Sequence, residues 1–258
     1  MVIIVQNIYI LFMHFFIYSI IGWILEVIYC KILDGKFYNR GFLNGPYCPI
    51  YGFGAIFIVL LLKRFSFFPP LVFVLGFLLT STLEYITSFL MEKIFNAKWW
   101  DYSKEKFNIN GRVCLKNSIM FGLLSLILIY GLDPVITKLI DLIKIDYLSK
   151  IATLLSALIL LDLNITIMEF INIKEKLMDL KNYTDTLIKE KNIFNENSDA
   201  YKKLEEFKEK LLSKKDLLNN HILKAFPNLT FKGYPKEFLK LKEFIKDSAN
   251  RINKKIKK

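Results

Sequence analysis

Apolar residues dominate five separate stretches in the first two thirds of the chain. The stretches cover residues 8–33, 46–62, 70–95, 113–132 and 148–171. Each approaches the ~20 residues that an α-helix needs to cross a hydrocarbon core. The pattern predicts an all-α polytopic membrane protein, with about five transmembrane helices in a domain of residues 1–172. A second, helical domain of residues 173–258 is expected to follow.

The second apolar stretch is the shortest of the five, and it opens with the sequence Gly45-Pro46-Tyr47-Cys48-Pro49. Proline is tolerated in the first turn of a helix. Irregular backbone is tolerated at membrane depth where it is buried in protein or lines a cavity. The prolines therefore favour either a helix start or a re-entrant entry that shortens this span.

The tail reads as three helices. Residues 174–194 and 199–226 flank a turn and helix N-cap signal at residues 195–198. Leucines repeat with a seven-residue period in the second of these helices, which is typical of a helical hairpin or short coiled coil. The last helix, residues 238–256, is amphipathic with a strongly basic face. That face is either solvated over a small core or bound to a membrane surface or a partner.

The distribution of charge predicts the orientation in the membrane. The chain is 53% hydrophobic with a formal net charge of +12, and most of the excess positive charge lies after residue 172. Lysine and arginine are also enriched in the loops after the first and third stretches, whereas none precedes Ile8. The positive-inside rule then places the N-terminus outside and the C-terminus in the cytoplasm. The lipid bilayer is the expected partner of the tail, and no nucleic acid is expected.

A short amphipathic stretch follows the fourth apolar segment. It begins at Asp133-Pro134 and extends to Ile145. Its alternation of charged and apolar residues at helical spacing predicts an interfacial helix on the outer side.

Glu26 lies inside the first apolar stretch. An ionisable side chain at that depth costs at least a few kcal/mol, so it marks a candidate functional site. The neighbours on its helix face are small, aromatic or polar rather than lipid-compatible. They are Tyr18, Ser19, Gly22, Trp23 and Tyr29. This face is therefore expected to contact protein, water or a ligand.

Other charged residues are expected near Glu26. Glu84 occupies the third stretch, and Arg40 and Arg112 lie beside the predicted cytosolic helix ends. Buried acids need compensating cations, protons or hydrogen-bond donors. We therefore predict one polar pocket that faces the cytosolic leaflet. Its candidate residues are Glu26, Arg40, Tyr47, Glu84, Asp101 and Arg112, supported by Tyr18, Ser19, Trp23 and Trp100.

Several of these residues also have a purely structural interpretation. An intramembrane glutamate can hold helices together by hydrogen bonding. For Asp162 and Glu169 in the fifth stretch the structural role is favoured, and for Trp99 and Trp100 so is anchoring at the membrane interface. No close cysteine spacing indicates a metal site. No metal and no cofactor is expected, and the chain has no Gly-x-x-x-x-Gly-Lys-Ser/Thr loop for ATP.

Five short motifs carry a resemblance to a known family. They are Tyr18-Ser19-x-x-Gly22-Trp23-x-x-Glu26; Asn39-Arg40-Gly41-Phe42-Leu43-x-Gly45-Pro46-Tyr47-Cys48-Pro49-Ile50-Tyr51-Gly52; Glu84-Tyr85; Trp99-Trp100-Asp101-Tyr102-Ser103; and Asn110-Gly111-Arg112-Val113-Cys114. Together they resemble the bacterial ABC-transporter permeases of the CmpB type, over about residues 10–130. The resemblance implies a multi-pass protein of the bacterial plasma membrane, and it names no substrate.

Three functions stay open at this point. In the first, the chain is a permease-like transport subunit, and a separate ATPase, which the permease label implies, docks on its cytosolic face. In the second, it is a membrane-embedded enzyme acting on a lipid or lipid-linked substrate, with Glu26 or Glu84 as general base and Arg40 or Arg112 holding a phosphate. In the third, it is a scaffold whose tail recruits a partner. Transport is favoured over catalysis, and a homo-oligomer is compatible with each.

Overall fold

The computed structural model describes residues 2–35, 39–189, 221–226 and 229–234, and these residues are mostly helical. The helices are α1 (Val2–Asp34), α2 (Pro49–Leu62), α3 (Pro69–Phe95), α4 (Leu115–Ile127), α5 (Asp133–Asp141), α6 (Ile145–Lys189) and α7 (His221–Ala225). A 3-10 turn (Lys63–Phe65) follows α2, and a π-helical turn (Leu128–Leu132) joins α4 to α5. The strands have two residues each: β1 (Ala97–Lys98), β2 (Asn108–Ile109), β3 (Val113–Cys114) and β4 (Thr230–Phe231).

Four segments of the described chain are long and apolar enough to cross a membrane. They are Ile8–Ile32, Pro69–Phe95, Leu115–Asp141 and Ile145–Asp179. The predicted helical fold with membrane-spanning segments is confirmed. The predicted count of five is not confirmed, because the second apolar stretch forms a shorter helix than the others.

That shorter helix is α2, which has 14 residues. At 1.5 Å per residue it is about 21 Å long, less than the ~30 Å of a hydrocarbon core. Its first helical residue is Pro49, and the backbone N–H of the preceding Cys48 donates to the Ser19 carbonyl at 2.9 Å. Since Ser19 lies near the middle of the span Ile8–Ile32, α2 begins at mid-height on α1.

Small residues let α1 and α2 approach closely. A Cβ on Gly22 would overlap the side chain of Tyr51, and a Cβ on Gly52 would overlap Ser19 and Phe15. Close approach through glycine and serine is the usual way in which helices associate inside membranes, because packing rather than water exclusion drives it. The polar face of α1 is therefore buried against α2, as its composition predicts.

Small residues also let α3 and α4 approach closely. Gly76 faces Ser125, and Gly122 faces the ring of Phe73. The Ser81 hydroxyl donates to the Ser118 hydroxyl at 2.7 Å. Both helices therefore meet along a stripe of small and hydroxyl-bearing side chains.

A second polar cluster lies away from Glu26, where α5 begins. The Asp133 carboxylate is buried. It accepts a hydrogen bond from the Tyr18 hydroxyl at 2.7 Å and forms an ion pair with Lys63 at 2.7 Å. His14 packs beside Tyr18 and lies 3.2 Å from the Thr137 hydroxyl. The amphipathic helix predicted from Asp133 ends at Asp141, and the π-helical turn makes it continuous with α4.

The chain divides into two compact units, Met1–Asn164 and Ile165–Lys258. In the second unit the Phe170 and Phe231 rings stack with centroids 5.3 Å apart. The Lys181 ammonium lies 5.3 Å from the centre of the Tyr234 ring. Helix α6 runs without a break through residue 172, where the sequence suggested a domain boundary. The predicted leucine-repeat hairpin and basic last helix fall largely on residues 190–220 and 235–258, outside the described part.

Candidate functional site

Glu26 interacts with the first turn of α2. One carboxylate oxygen, Oε1, accepts a hydrogen bond from the Tyr51 hydroxyl at 2.6 Å. Tyr51 is the third residue of α2, where the aligned peptide dipoles place partial positive charge. The side chain of Glu26 is half-buried. A phenol and a helix N-terminus therefore both stabilise this carboxylate inside an apolar span.

Glu84 of α3 is more deeply buried and less well compensated. Its side chain is 7% exposed. Oε1 accepts a hydrogen bond from the Tyr102 hydroxyl at 3.2 Å, whereas Oε2 is buried and accepts none from the described residues. Glu26 and Glu84 lie within electrostatic range of each other. These two acids with Tyr51 and Tyr102 are referred to below as the acidic centre.

Tyr102 follows α3 in a loop outside the spans. Burial raises the pKa of its phenol well above the usual value, and the neighbouring charges of Glu84 and Glu26 raise it further. The phenol therefore stays protonated at any physiological pH. It acts as a hydrogen-bond donor to Glu84 and not as a base.

The two arginines assigned to the pocket contact other side chains. Arg112 Nη2 pairs with Glu92 Oε2 at 2.6 Å, and Nη1 donates to the Ser88 hydroxyl at 3.3 Å. Arg40 Nε donates to Cys30 Sγ at 2.7 Å. Within the described residues no lysine or arginine forms an ion pair with Glu26 or Glu84. The prediction that these arginines compensate the acids therefore does not describe the geometry.

Glu92 is the partner of Arg112, and it was not among the predicted pocket residues. It lies eight residues after Glu84, with Ser88 between them, so all three occur on one face of α3. All three are buried. The Arg112 guanidinium also lies 5.6 Å from the centre of the Tyr85 ring and 5.5 Å from that of Phe89. The sequence signal for Glu92 was available, because Glu92 continues the polar stripe of Glu84 and Ser88 along α3 by one more turn.

Asp162 of α6 closes the loop that precedes α2. Its two carboxylate oxygens accept the backbone N–H of Asn44 at 3.0 Å and that of Gly45 at 2.8 Å. The Tyr47 hydroxyl donates to the same carboxylate. Tyr47 is therefore part of this loop cap and is not hydrogen bonded to Glu26 or Glu84. The structural role favoured for Asp162 agrees with this geometry.

The start of the same loop is tied to α1. Trp23 Nε1 donates to the Asn39 side-chain oxygen at 2.6 Å, and the Asn39 amide donates to the Asn44 carbonyl at 2.7 Å. Ser19 accepts the N–H of Cys48 through its backbone carbonyl, as described above. The supporting residues Ser19 and Trp23 therefore hold the loop, whereas Tyr18 binds Asp133 in the other cluster.

Asp101 and Trp100 belong to a hairpin between α3 and α4. Strands β2 and β3 pair antiparallel, with Ile109 opposite Val113, and Asn110 and Gly111 between them both have positive φ. Asn-Gly is the favoured pair for such a turn. Trp100 Nε1 donates to the Arg112 carbonyl at 3.0 Å. Trp100 therefore holds the backbone that carries the Glu92 partner.

Asp101 binds on the outside of this hairpin. Its carboxylate accepts hydrogen bonds from the Ser103 backbone N–H at 2.9 Å and from the Ser103 hydroxyl, and it pairs with Lys98 at 2.9 Å. Partial burial acts to raise the pKa of Asp101, but the hydrogen bonds from Ser103 and Lys98 outweigh it and lower the pKa to about 2. Within the described residues Asp101 is exposed and forms no hydrogen bond or ion pair with the acidic centre.

The structure thus separates the predicted pocket into distinct groups. Glu26 and Glu84 lie within electrostatic range of each other, and each accepts a hydrogen bond from a tyrosine that was not among the predicted pocket residues. Arg112 pairs with Glu92, Tyr47 joins the loop cap, and Asp101 stays at the surface. Within the described part of the chain, no group of three or more histidine, cysteine, aspartate or glutamate side chains suits a metal ion.

Comparisons with known proteins bear on the identity of this arrangement. Searches of curated proteins and of solved structures gave no match. A family model described as "Putative ABC-transporter type IV", of the CmpB type, matches residues 13–167. The match spans the helices that carry the acidic centre, the Arg112 pair and the loop cap. The chain therefore belongs to this family of ABC-transporter-type membrane proteins.

Proposed function

We propose that this chain is the membrane-spanning subunit of a bacterial ABC-type transporter and that the acidic centre lies on its substrate path. The observation that carries this proposal is Glu84. Its carboxylate is buried in a span, with one oxygen that accepts no hydrogen bond from the described residues. An acid placed at such cost inside a membrane typically marks an ion or substrate path.

The orientation follows from charge. The N-terminus lies outside and the C-terminus lies in the bacterial cytoplasm, as the lysine and arginine distribution favours. The loop of residues 39–48 then enters the membrane from the cytosolic side, and α2 continues from mid-depth to the outer side. The second apolar stretch thus crosses as a loop plus a short helix. Such irregular backbone is compatible with a membrane because Asp162 and Ser19 satisfy its polar groups.

Energy for transport comes from a separate ATPase, because this chain has no phosphate-binding loop of the Gly-x-x-x-x-Gly-Lys-Ser/Thr type. The ATPase docks on the cytosolic side, where the hairpin of residues 96–114 and the basic tail are proposed to lie. The enzyme alternative loses one of its two candidate phosphate ligands, because Arg112 is paired with Glu92.

Purification of the tagged chain from its native host tests this function. We expect an ATPase subunit to co-purify, and we expect the complex in nanodiscs to hydrolyse ATP. Glu26→Gln keeps the shape of the side chain and removes its charge, so this variant should retain the ATPase but lose transport-linked activity. Asp141→Asn is the matched control, because Asp141 is exposed at the end of α5 and lies outside the hairpin on which the ATPase is proposed to dock. Absence of any nucleotide-binding partner, or full activity of Glu26→Gln, would contradict the proposal.

A further inference from the structure

The acidic centre has an excess of negative charge that the protein itself only partly compensates. Two carboxylates lie within electrostatic range of each other, and no lysine or arginine of the described residues pairs with either. The hydrogen-bond donors to them are the phenols of Tyr51 and Tyr102. A phenol is a neutral donor, so the centre as a whole stays acidic.

The compensation is unequal between the two acids. Glu26 has a 2.6 Å hydrogen bond from Tyr51 and the N-terminal turn of α2. Glu84 has a longer bond of 3.2 Å from Tyr102. Its Oε2 is buried without a donor in the described part of the structure. A buried polar atom without a hydrogen bond is unfavourable, so Glu84 is the position at which an added donor gains most.

The surroundings suit an organic cation better than a metal ion. Calcium takes six to eight oxygen ligands, and the described residues include no cluster of three or more histidine, cysteine, aspartate or glutamate side chains that suits a metal ion. Aromatic side chains contact the acids instead, because each acid accepts a hydrogen bond from a tyrosine. Tyr51 packs edge-to-face on Phe121, with ring centroids 5.9 Å apart. An ammonium group offers N–H donors to carboxylates, a positive charge to ring faces, and carbon substituents that tolerate an apolar wall.

Taking the proposed transport function as its basis, we propose that the acidic centre binds the ammonium group of an organic cation, with one N–H donated to Glu84 Oε2. This assigns a cationic substrate class to the transporter. An anionic substrate is then excluded from this site, because Arg112 pairs with Glu92 and the acids repel negative charge.

Thermal melting of the purified full-length chain in detergent provides the test. Ethylammonium chloride is the probe, and sodium chloride at the same ionic strength is the reference. At saturating probe we expect the wild-type melting temperature to rise by about 5 °C above the reference, because a ligand that binds only the folded state stabilises it. No rise, or an equal rise with sodium, would overturn the assignment.

Variants test whether ethylammonium binds at the acidic centre. Glu84→Gln should abolish the rise, because an amide NH2 in place of Oε2 cannot accept the N–H of the ammonium group. Glu105→Gln, an exposed charge removal, should keep the full rise. If Glu84→Gln does not fold, Glu26→Gln serves with the same readout. A rise that persists in a folded variant of the acidic centre shows that ethylammonium binds elsewhere, which rejects the assignment.

The result is separable from the test of the transport function. Co-purification of an ATPase without any ethylammonium effect rejects the substrate class and leaves the transporter in place. An ethylammonium effect that is lost in Glu84→Gln, without an ATPase partner, keeps the cation site and rejects ATP-driven transport.

Discussion

Asp162 on α6 accepts a hydrogen bond from the backbone N–H of Asn44, 118 residues earlier in the chain. The same carboxylate accepts the N–H of Gly45 and the hydroxyl of Tyr47. An acid in an apolar span thus supplies acceptors to a loop that lacks regular secondary structure. The cost of placing Asp162 in the membrane is offset by the backbone donors that it satisfies.

Removing this cap should release the loop. Asp162→Asn replaces one acceptor oxygen with an amide that cannot accept, so we expect a loss of about 1–3 kcal/mol in the free energy of unfolding. Cys48 is buried beside the loop and should react faster with a membrane-permeant thiol reagent, as followed by peptide mapping. Asn164→Ala on the same helix is the control, since Asn164 is exposed. Unchanged Cys48 reactivity in Asp162→Asn would argue against the cap.

Close packing of α1 against α2 gives a second prediction. In Gly22→Ala the new methyl group overlaps Tyr51, so the helices must separate, which costs about 1–3 kcal/mol. Gly54→Ala adds the same methyl group on α2, where nothing lies within 4 Å of the new atom. Alanine is also the better helix former. The melting temperature should therefore fall for Gly22→Ala and stay level or rise for Gly54→Ala. Equal changes in the two variants would refute the close approach of α1 and α2.

The Glu92–Arg112 pair gives a third prediction. Both side chains are largely buried, so Glu92→Gln should destabilise the protein by about 3–5 kcal/mol, because it leaves the guanidinium buried without a counter-charge. The double variant Glu92→Leu with Arg112→Met removes both charges and should recover most of that loss. Melting temperatures of the single and double variants measure the coupling between the two side chains. Additive losses in the double variant would show that the two side chains act independently.

Asp101 gives a prediction about pH. Its pKa in the folded chain is about 2, below the ordinary value near 3.9 for the unfolded chain. A lowered pKa stabilises the folded hairpin above about pH 4, and the stabilisation is lost as the pH falls towards 2. Fluorescence of the adjacent tryptophans should therefore report local opening of the hairpin in acid. Asp101→Asn removes the titrating group, so its hairpin should show less change over the same range.

Local patterns of apolar and polar residues predict part of the fold and part of the candidate site. The small and polar face of α1 around Gly22 and Glu26 does lie against protein. Glu26 and Glu84, on separate helices, were expected in one pocket, and they lie within electrostatic range of each other. Both results follow from periodicity and from the high cost of exposing such residues to lipid.

Local patterns do not predict a residue's partner when that partner depends on how far along the helix axis two elements meet. Arg112 reaches Glu92 rather than Glu84, although both acids lie on one face of α3, two turns apart. The sequence around Arg112 contains nothing that specifies this height. Likewise, hydropathy detects the apolar character of residues 46–62 but not that α2 starts beside Ser19. Only the hydrogen bond from Cys48 to Ser19 reveals that depth.

The distance in sequence between Asn44 and Asp162 also constrains the order in which segments of the chain reach their final positions in the membrane. The loop before α2 emerges from the ribosome long before α6, so its backbone donors have no carboxylate partner when the first helices enter the bilayer. Until α6 is inserted, that segment is better hydrated outside the hydrocarbon than buried in it. The second apolar stretch should therefore reach its final depth after translation of α6. A chain truncated before residue 162 should leave Cys48 open to water-soluble thiol reagents.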